Sequence, residues 1–173
     1  GGRQVRPDGG YSRPVAAVDN SLAGEVGEGN RKDIRNAVEA AHSAASWGWS
    51  SAHGRAQVLF FLAENLEVRA SEFAQRIRDL TGTDGEEEVH VAIARLMYYA
   101  GWCDKFEGVV HHAPAGRIVF AMPEPIGVLG LVCPQSHSLL GRVSMIAPAI
   151  AVGNTVVVIP SEEAPLVATD FYH

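Results

Sequence analysis

The sequence predicts an α/β fold, in which an amino-terminal helical layer is followed by the first strands of a doubly wound parallel sheet. Helical periodicity runs through residues 30–108, where apolar residues recur every three or four positions. Two short apolar runs follow at residues 126–132 and 155–159, with a helical pattern between them. Strand, helix and strand in this order are typical of a sheet covered by helices. Two strands are fewer than such a sheet normally has, so we expect a fragment of a longer protein.

Residues 1–29 are predicted to be extended or loop, because glycine and proline interrupt each apolar stretch. Three glycines in this segment, Gly24, Gly27 and Gly29, do not have the spacing of a phosphate-binding loop. An ordinary loop is therefore expected around them.

The helical segment is predicted to begin with a capped helix. Asn30 is the N-cap, and the side chain of Asp33, three residues later, is expected to accept from the Asn30 backbone in a capping box. Three consecutive glutamates, residues 86–88, open the last helix and are predicted to be a solvated first turn rather than metal ligands. The residues predicted to face the core are Ile34, Val38, Ala41 and Ala45 in the first helix, Leu59, Leu62, Ala63 and Leu66 in the second, Phe73, Ile77 and Leu80 in a third that can continue the second, and Val89, Ile93, Leu96 and Ala100 in the last.

The second half of the chain changes to strand patterns. Residues 109–122 predict two short strands around a proline- and glycine-containing turn, and residues 123–173 predict the first βαβα units of a sheet. The run at 126–132 is expected to be a strand buried on both faces. Arg142 lies in the otherwise apolar helix predicted at about 138–151, where it either pairs with a carboxylate of another segment or faces solvent.

Composition excludes several function classes. Fourteen Lys and Arg residues against twenty Asp and Glu give a formal net charge of -6, so the chain lacks the basic surface that binds nucleic acid or anionic membranes. No apolar run approaches the roughly 20 residues of a membrane helix. Two cysteines, Cys103 and Cys133, are too few for a secreted disulfide framework. We therefore expect a soluble, cytoplasmic protein.

The histidines and cysteines do not predict a metal site. Cys133 and His137 are four residues apart, but a single Cys/His pair lacks the further ligands of a zinc site, so both are interpreted as structural. His111 and His112 lie at a predicted turn and are expected to be solvated. Cys103 is expected to be a small packing residue.

Four segments of the chain each combine a glycine with apolar residues, and no internal repeat relates them. In chain order they are residues 29–34 with 37–41, residues 98–102 (Tyr-Tyr-Ala-Gly-Trp), residues 124–130 (Glu-Pro-Ile-Gly-Val-Leu-Gly), and residues 147–162, from Ala-Pro-Ala-Ile through Gly-Asn-Thr-Val to Ile-Pro-Ser-Glu. In this order they resemble the amino-terminal portion of the NAD-binding domain of the aldehyde dehydrogenase superfamily. The resemblance extends over about residues 24–173.

The resemblance implies a dinucleotide-binding domain, here a partial one over residues 1–173, with protruding oligomerisation strands at 109–122. It also implies the family's chemistry, in which a cysteine thiolate attacks the aldehyde and hydride passes to the nicotinamide of NAD(P). An asparagine amide stabilises the oxyanion, and a glutamate assists hydrolysis of the thioester. The family's catalytic cysteine and this glutamate correspond to positions beyond residue 173. Homo-oligomers or other protein partners are expected.

Two positions depart from the family pattern. Ser136 stands where the family has its oxyanion asparagine, and a hydroxyl is shorter than an amide and can turn to other partners. Ile159 replaces the family's ribose-contacting lysine and has no donor. The following Pro160, Ser161 and Glu162 match the cofactor-binding stretch, and Glu162 retains an acceptor for ribose hydroxyls.

Both departures fall on positions that the family uses for catalysis or cofactor binding, whereas the glycines and apolar residues of the family pattern remain. The resemblance therefore predicts weak or absent NAD binding and a non-catalytic or strongly impaired module that serves assembly or protein interaction. The piece alone is expected to be inactive. The alternative is a part of an active NAD(P)-dependent aldehyde dehydrogenase that oxidises an aldehyde to a carboxylic acid. Chains of family 16 of this superfamily carry two aldehyde-dehydrogenase-like regions, of which the second is degenerate. The pattern of substitutions in this chain resembles that second region.

Overall fold

The computed structural model describes residues 5–114 and 116–172 and has an α/β architecture. Its elements in chain order are β1 (Ser12–Ala16), β2 (Leu22–Gly27), α1 (Arg31–Ser43), a 3₁₀ helix (Ala45–Trp49), α2 (Ala52–Val68), α3 (Ala70–Thr81), α4 (Gly85–Trp102), β3 (Val109–Ala113), β4 (Arg117–Ala121), β5 (Val128–Val132), α5 (Leu140–Ala151), β6 (Thr155–Ile159) and α6 (Leu166–Asp170). None of the described helices combines the length and the apolar character needed to cross a bilayer.

The core lies among four helices, with α4 packed against α2, α3 and α5. The faces predicted for α2, α3 and α4 are buried, except for Leu62 and Ile93, which are half-buried. Arg69 separates α2 from α3 and leaves the regular helical conformation, with ψ near 15°. The helical period of the sequence was sufficient to identify these faces because all three helices pack into one apolar cluster.

Helix α1 begins as predicted, and Ala41 of its predicted face is buried. The Asn30 side chain accepts from the backbone of Lys32 and Asp33, and the Asp33 carboxylate accepts from the Asn30 backbone N–H. The predicted face is wrong in part, since Ile34 is 45% exposed. α1 turns Ala37, Ala40 and Ala41 toward a groove of about 510 Å³ beside β6, which Ala44 at the end of the helix also lines. Small residues line this face because α1 contacts the sheet and not the helical core.

The amino-terminal segment forms an antiparallel hairpin of β1 and β2, with an irregular register after Val15. The loop predicted around the glycines is wrong for Gly24 and Gly27, which both lie in β2. A Cβ atom on Gly24 would come within 3.1 Å of the Leu166 side chain, so the glycine permits a close approach of the hairpin to α6. Long-range packing, and not a turn, accounts for this residue type.

Two further strand pairs complete the fold. β3 and β4 form an antiparallel hairpin, whereas β5 and β6 are parallel and joined through α5. The expectation of a strand buried on both faces is wrong for β5, because Val132 is 68% exposed and the other residues are mostly half-buried. Within the described residues the parallel sheet has two strands, so each strand has one open edge.

Candidate functional site

The predicted site residues lie at one edge of the parallel sheet. Because β5 and β6 run parallel, the turn after each strand emerges at the same edge. Ser136 is exposed in the turn after β5, and Ile159 ends β6 with 45% of its side chain exposed. Glu162 is exposed in the turn after β6, next to Ser161, which is buried. Pro160 is also exposed.

The two turns are joined by the side chain of Gln135. Its Oε1 atom accepts from the Ser161 hydroxyl at 2.9 Å and from the backbone N–H groups of Glu162 at 2.9 Å and Glu163 at 3.2 Å. The Ser161 hydroxyl oxygen in turn accepts from the N–H of Ala164 at 3.3 Å. Ser161 thus caps this turn, and helix α6 begins later, at Leu166.

Glu88 is buried, contrary to the prediction of a solvated first turn. Its Oε1 atom accepts from the backbone N–H groups of Leu139 at 2.8 Å and Leu140 at 3.1 Å, and only 7% of the residue is exposed. These N–H groups belong to the start of α5, where a carboxylate is favoured by the helix dipole and by donors that lack partners within the helix. Glu88 thus fixes the end of the turn that carries Ser136.

A groove of about 450 Å³ opens beside Ser136, between this turn and the junction of α3 and α4. Ser136 is the one predicted site residue among those that line it. The ionisable side chains along the groove are Asp84, Glu87, Glu88, His137 and Glu163. Four carboxylates and no lysine or arginine make its lining unfavourable for an anionic ligand.

Arg142 follows neither alternative predicted for it. It is 1% exposed, its Nη2 atom donates to the backbone oxygen of Val167 at 2.9 Å, and its guanidinium lies 4.9 Å from the centre of the Phe171 ring. Burial lowers its pKa. Among the described residues, its Nε and Nη1 atoms have no hydrogen-bond partner. The guanidinium is therefore held by a carbonyl and an aromatic face.

Cys133 and Cys103 are both buried and unpaired with each other. Cys133 lies at the end of β5, where its N–H donates to the Ile159 backbone oxygen at 2.9 Å. Burial raises the pKa of both thiols. Within the described ranges, no group of three or more His, Cys, Asp and Glu side chains is arranged to hold a metal ion.

Slow alkylation of both thiols is the expected consequence of this burial. The thiolate is the reactive form, and a raised pKa reduces its fraction at about pH 7.5. We expect iodoacetamide to modify native Cys103 and Cys133 at least about tenfold more slowly than the unfolded protein in guanidinium. A time course by intact mass measures this, and Cys103→Ser assigns the remaining signal. Native alkylation of Cys133 at the unfolded rate would contradict a structural thiol.

The side chains at this edge fit a dinucleotide only in part. The Glu162 carboxylate is exposed and can accept from ribose hydroxyls. The Ser161 hydroxyl already donates to Gln135, and Ile159 supplies no donor. The edge therefore offers one side-chain acceptor and no free cationic donor among Ile159 to Glu162, which is a poor match for the polar adenosine ribose.

Two residues that organise this edge were missed from the sequence. Gln135 follows Cys133 and Pro134 after the end of β5, and in a parallel sheet the turns after neighbouring strands lie at the same edge. Glu88 has the helical phase of the core, four residues before Ala92 and eight before Leu96, both buried. The helical periodicity therefore indicated that Glu88 lies on the buried face, but a charged residue is usually exposed to solvent.

Comparison with known proteins gives a consistent result. The model of the aldehyde dehydrogenase family matches residues 8–173. The chain is 37% identical over 150 residues to aldehyde dehydrogenase family 2 member B4, mitochondrial, of Arabidopsis thaliana, covering 83% of this chain and 28% of that protein. It is 36% identical over 156 residues to human retinaldehyde dehydrogenase 3, covering 83% and 30%.

Solved structures agree with these relatives. PnpE from Pseudomonas sp. WBC-3 superposes with a TM-score of 0.94 at 31% identity, covering 98% of this chain and 36% of that chain. PnpE has also been solved in complex with nicotinamide adenine dinucleotide. The chain thus spans about a third of the length of these proteins. With the family model matching nearly all of its residues, the chain belongs to the aldehyde dehydrogenase family.

Proposed function

We propose that this chain is part of an aldehyde-dehydrogenase-like NAD-binding domain that has lost catalysis or is strongly impaired, and that serves assembly. The observation that carries the proposal is the pair of substitutions at the carboxyl edge of the sheet, Ser136 and Ile159. Both side chains are exposed, Ser136 in the turn after β5 and Ile159 at the end of β6. The fold is therefore retained where the chemical groups have changed, and a fold does not require the chemistry of its relatives.

Ser136 bears on turnover. In the family, the asparagine at this position donates an amide hydrogen to the oxyanion of the tetrahedral intermediate. A serine hydroxyl in the same turn reaches less far, and loss of one oxyanion donor typically costs about 10² to 10³ in turnover. A working aldehyde dehydrogenase with this turn would need a second donor from elsewhere, so Ser136 supports the impaired module.

Ile159 is expected to weaken binding of the cofactor. The related PnpE binds NAD, and the family resemblance implies NAD as the cofactor here. We expect this protein to bind it weakly or not at all. The lysine that the family uses to reach the ribose is replaced by a side chain without a donor, while Glu162 remains. NAD, when bound, accepts hydride from the substrate; this edge of the protein would only contribute to holding its adenosine ribose.

The assembly part of the proposal is supported by the β3–β4 hairpin. Its exposed apolar residues are Val109, Val110, Ile118, Val119, Phe120 and Met122. A hairpin with apolar side chains on both faces and open edges is the kind of element that a partner chain covers. We propose homo-oligomerisation or another protein partner, and a cytoplasmic, reducing environment that keeps Cys103 and Cys133 as thiols.

The alternative is part of an active NAD(P)-dependent aldehyde dehydrogenase. The exposed Glu162 carboxylate is the observation that favours it, because one ribose anchor of the family is still available. Under this alternative, another residue of the full-length protein supplies the missing oxyanion and ribose donors.

An NAD titration distinguishes the two. In the full-length protein, we expect calorimetry to detect weak binding or none, and the Ser136→Asn/Ile159→Lys variant to bind NAD about 10- to 100-fold more tightly. Such a gain corresponds to one or two regained hydrogen bonds to a charged or polar donor. Ile159→Met, which restores length but no donor, is the matched control. NAD binding by the natural protein that is as tight as that of the double variant would contradict the proposal and favour the active enzyme.

A further inference from the structure

We propose that Gln135 is a positioning residue that holds the turn at residues 160–163, and with it the backbone from which the Glu162 side chain extends, without help from any bound cofactor. The turn lies at the carboxyl end of β6 and has no regular secondary structure of its own. Its shape must therefore be set by contacts with other segments.

The Gln135 side chain supplies most of these contacts. A single amide oxygen accepts from the Ser161 hydroxyl and from two successive backbone N–H groups, those of Glu162 and Glu163. Such successive donors are the groups that a turn at a strand end offers to an anionic ligand. In this chain a neutral acceptor from the adjacent turn occupies them, so the turn is already satisfied.

Arg13 holds the same residue from the other side. Its Nη2 atom donates to the backbone oxygen of Glu162 at 2.6 Å, and it belongs to β1, which is distant in sequence. The N–H and C=O groups of Glu162 are thus bound by Gln135 and Arg13, whereas its side chain is exposed. Fixing the backbone on both sides fixes the direction of the Glu162 Cα–Cβ bond, from which the side chain extends into solvent.

The chemistry of the contact defines the variants that test it. Only the acceptor oxygen of Gln135 makes these three contacts, so glutamate at this position keeps the acceptor and the length. Methionine keeps the approximate length but removes the oxygen. If Gln135 acts through this oxygen, Gln135→Glu will behave like the natural protein and Gln135→Met will not.

The test is amide hydrogen exchange measured by NMR on the labelled full-length protein, with no nucleotide present. We expect Gln135→Met to speed exchange at Glu162 and Glu163 by roughly five- to tenfold, the effect of losing one net hydrogen bond. Gln135→Glu should keep both rates within about twofold of the natural protein. Exchange at Leu139 and Leu140, which are held by Glu88, should not change and reports that the neighbouring turn remains folded.

Two further variants keep the result interpretable. Gln75→Met, the same substitution on the exposed surface of α3, should leave Glu162 and Glu163 unaffected. Ser161→Ala removes one donor but leaves Gln135 bonded to both N–H groups, so their protection should remain. Unchanged exchange in Gln135→Met, or equal acceleration in Gln135→Glu and Gln135→Met, would overturn the proposal. Because no NAD is used, failure of the proposed loss of cofactor binding would not affect this outcome.

Discussion

Replacing Glu88 by alanine is expected to lower the free energy of unfolding by about 3 kcal/mol. The substitution leaves the N–H groups of Leu139 and Leu140 without their acceptor, and Leu139 is completely buried. A buried donor left unsatisfied costs about 1–3 kcal/mol, and bonds to a charged acceptor are stronger than neutral ones. Chemical denaturation of the two proteins measures the difference.

The neighbouring glutamate provides the control. Glu87 lies one position earlier in the same helix but is exposed, so Glu87→Ala should change stability by no more than about 0.5 kcal/mol. Glu88→Gln keeps an acceptor oxygen and should lose only about 1 kcal/mol. Equal effects at positions 87 and 88 would show that the carboxylate does not cap α5. Faster amide exchange at Leu139 and Leu140 in Glu88→Ala would locate the loss at the turn that carries Ser136.

Gly85→Ala is expected to cost about 2–3 kcal/mol, although alanine is normally the better helix former. A Cβ atom at this position would lie 2.4 Å from the backbone oxygen of Ala74 and 2.7 Å from its Cα atom. Both atoms belong to the main chain of α3, so relief requires α3 and α4 to move apart. Thermal and denaturant unfolding of the variant measure the cost.

Gly101 is the matched control, because it lies near the end of the same helix. A Cβ atom there would have no neighbour within 4 Å, so Gly101→Ala should stabilise the protein by about 0.5–1 kcal/mol. The two identical substitutions in α4 are therefore expected to have opposite signs. A Gly85→Ala protein as stable as the natural one would refute the close contact of α3 and α4.

Much of the architecture was predictable because it follows from local periodicity. The buried faces of α2, α3 and α4 repeat every three or four residues, and the Asn30 cap needs only Asp33 three residues later. The order of β5, α5 and β6 follows from two apolar runs separated by a helical pattern. The family resemblance then located the candidate site at Ser136 and Ile159, and these residues lie at the same edge of the sheet.

The details of the site were less predictable, because they depend on partners far away in the chain. Glu88 is in phase with Ala92, but only the position of Leu139 makes its burial favourable. Arginine is usually a surface residue, yet Arg142 is covered by the Phe171 ring and donates a hydrogen bond to the Val167 backbone oxygen. The helical period placed Glu88 on the core side of α4, but the sequence did not indicate its contact with Leu139 or the contacts of Arg142.

The sequence by itself determined the class of fold, the buried faces of α2, α3 and α4, and the family, since each is encoded in spacings of a few residues or in an ordered set of motifs. Only the tertiary structure decided which polar groups of distant segments satisfy one another. Gln135 occupies the donors of the turn that carries Glu162, and Glu88 occupies those that begin α5. A buried donor needs an acceptor within about 3 Å. Whether one lies at that distance depends on how distant segments pack together and not on the neighbouring residues in the sequence.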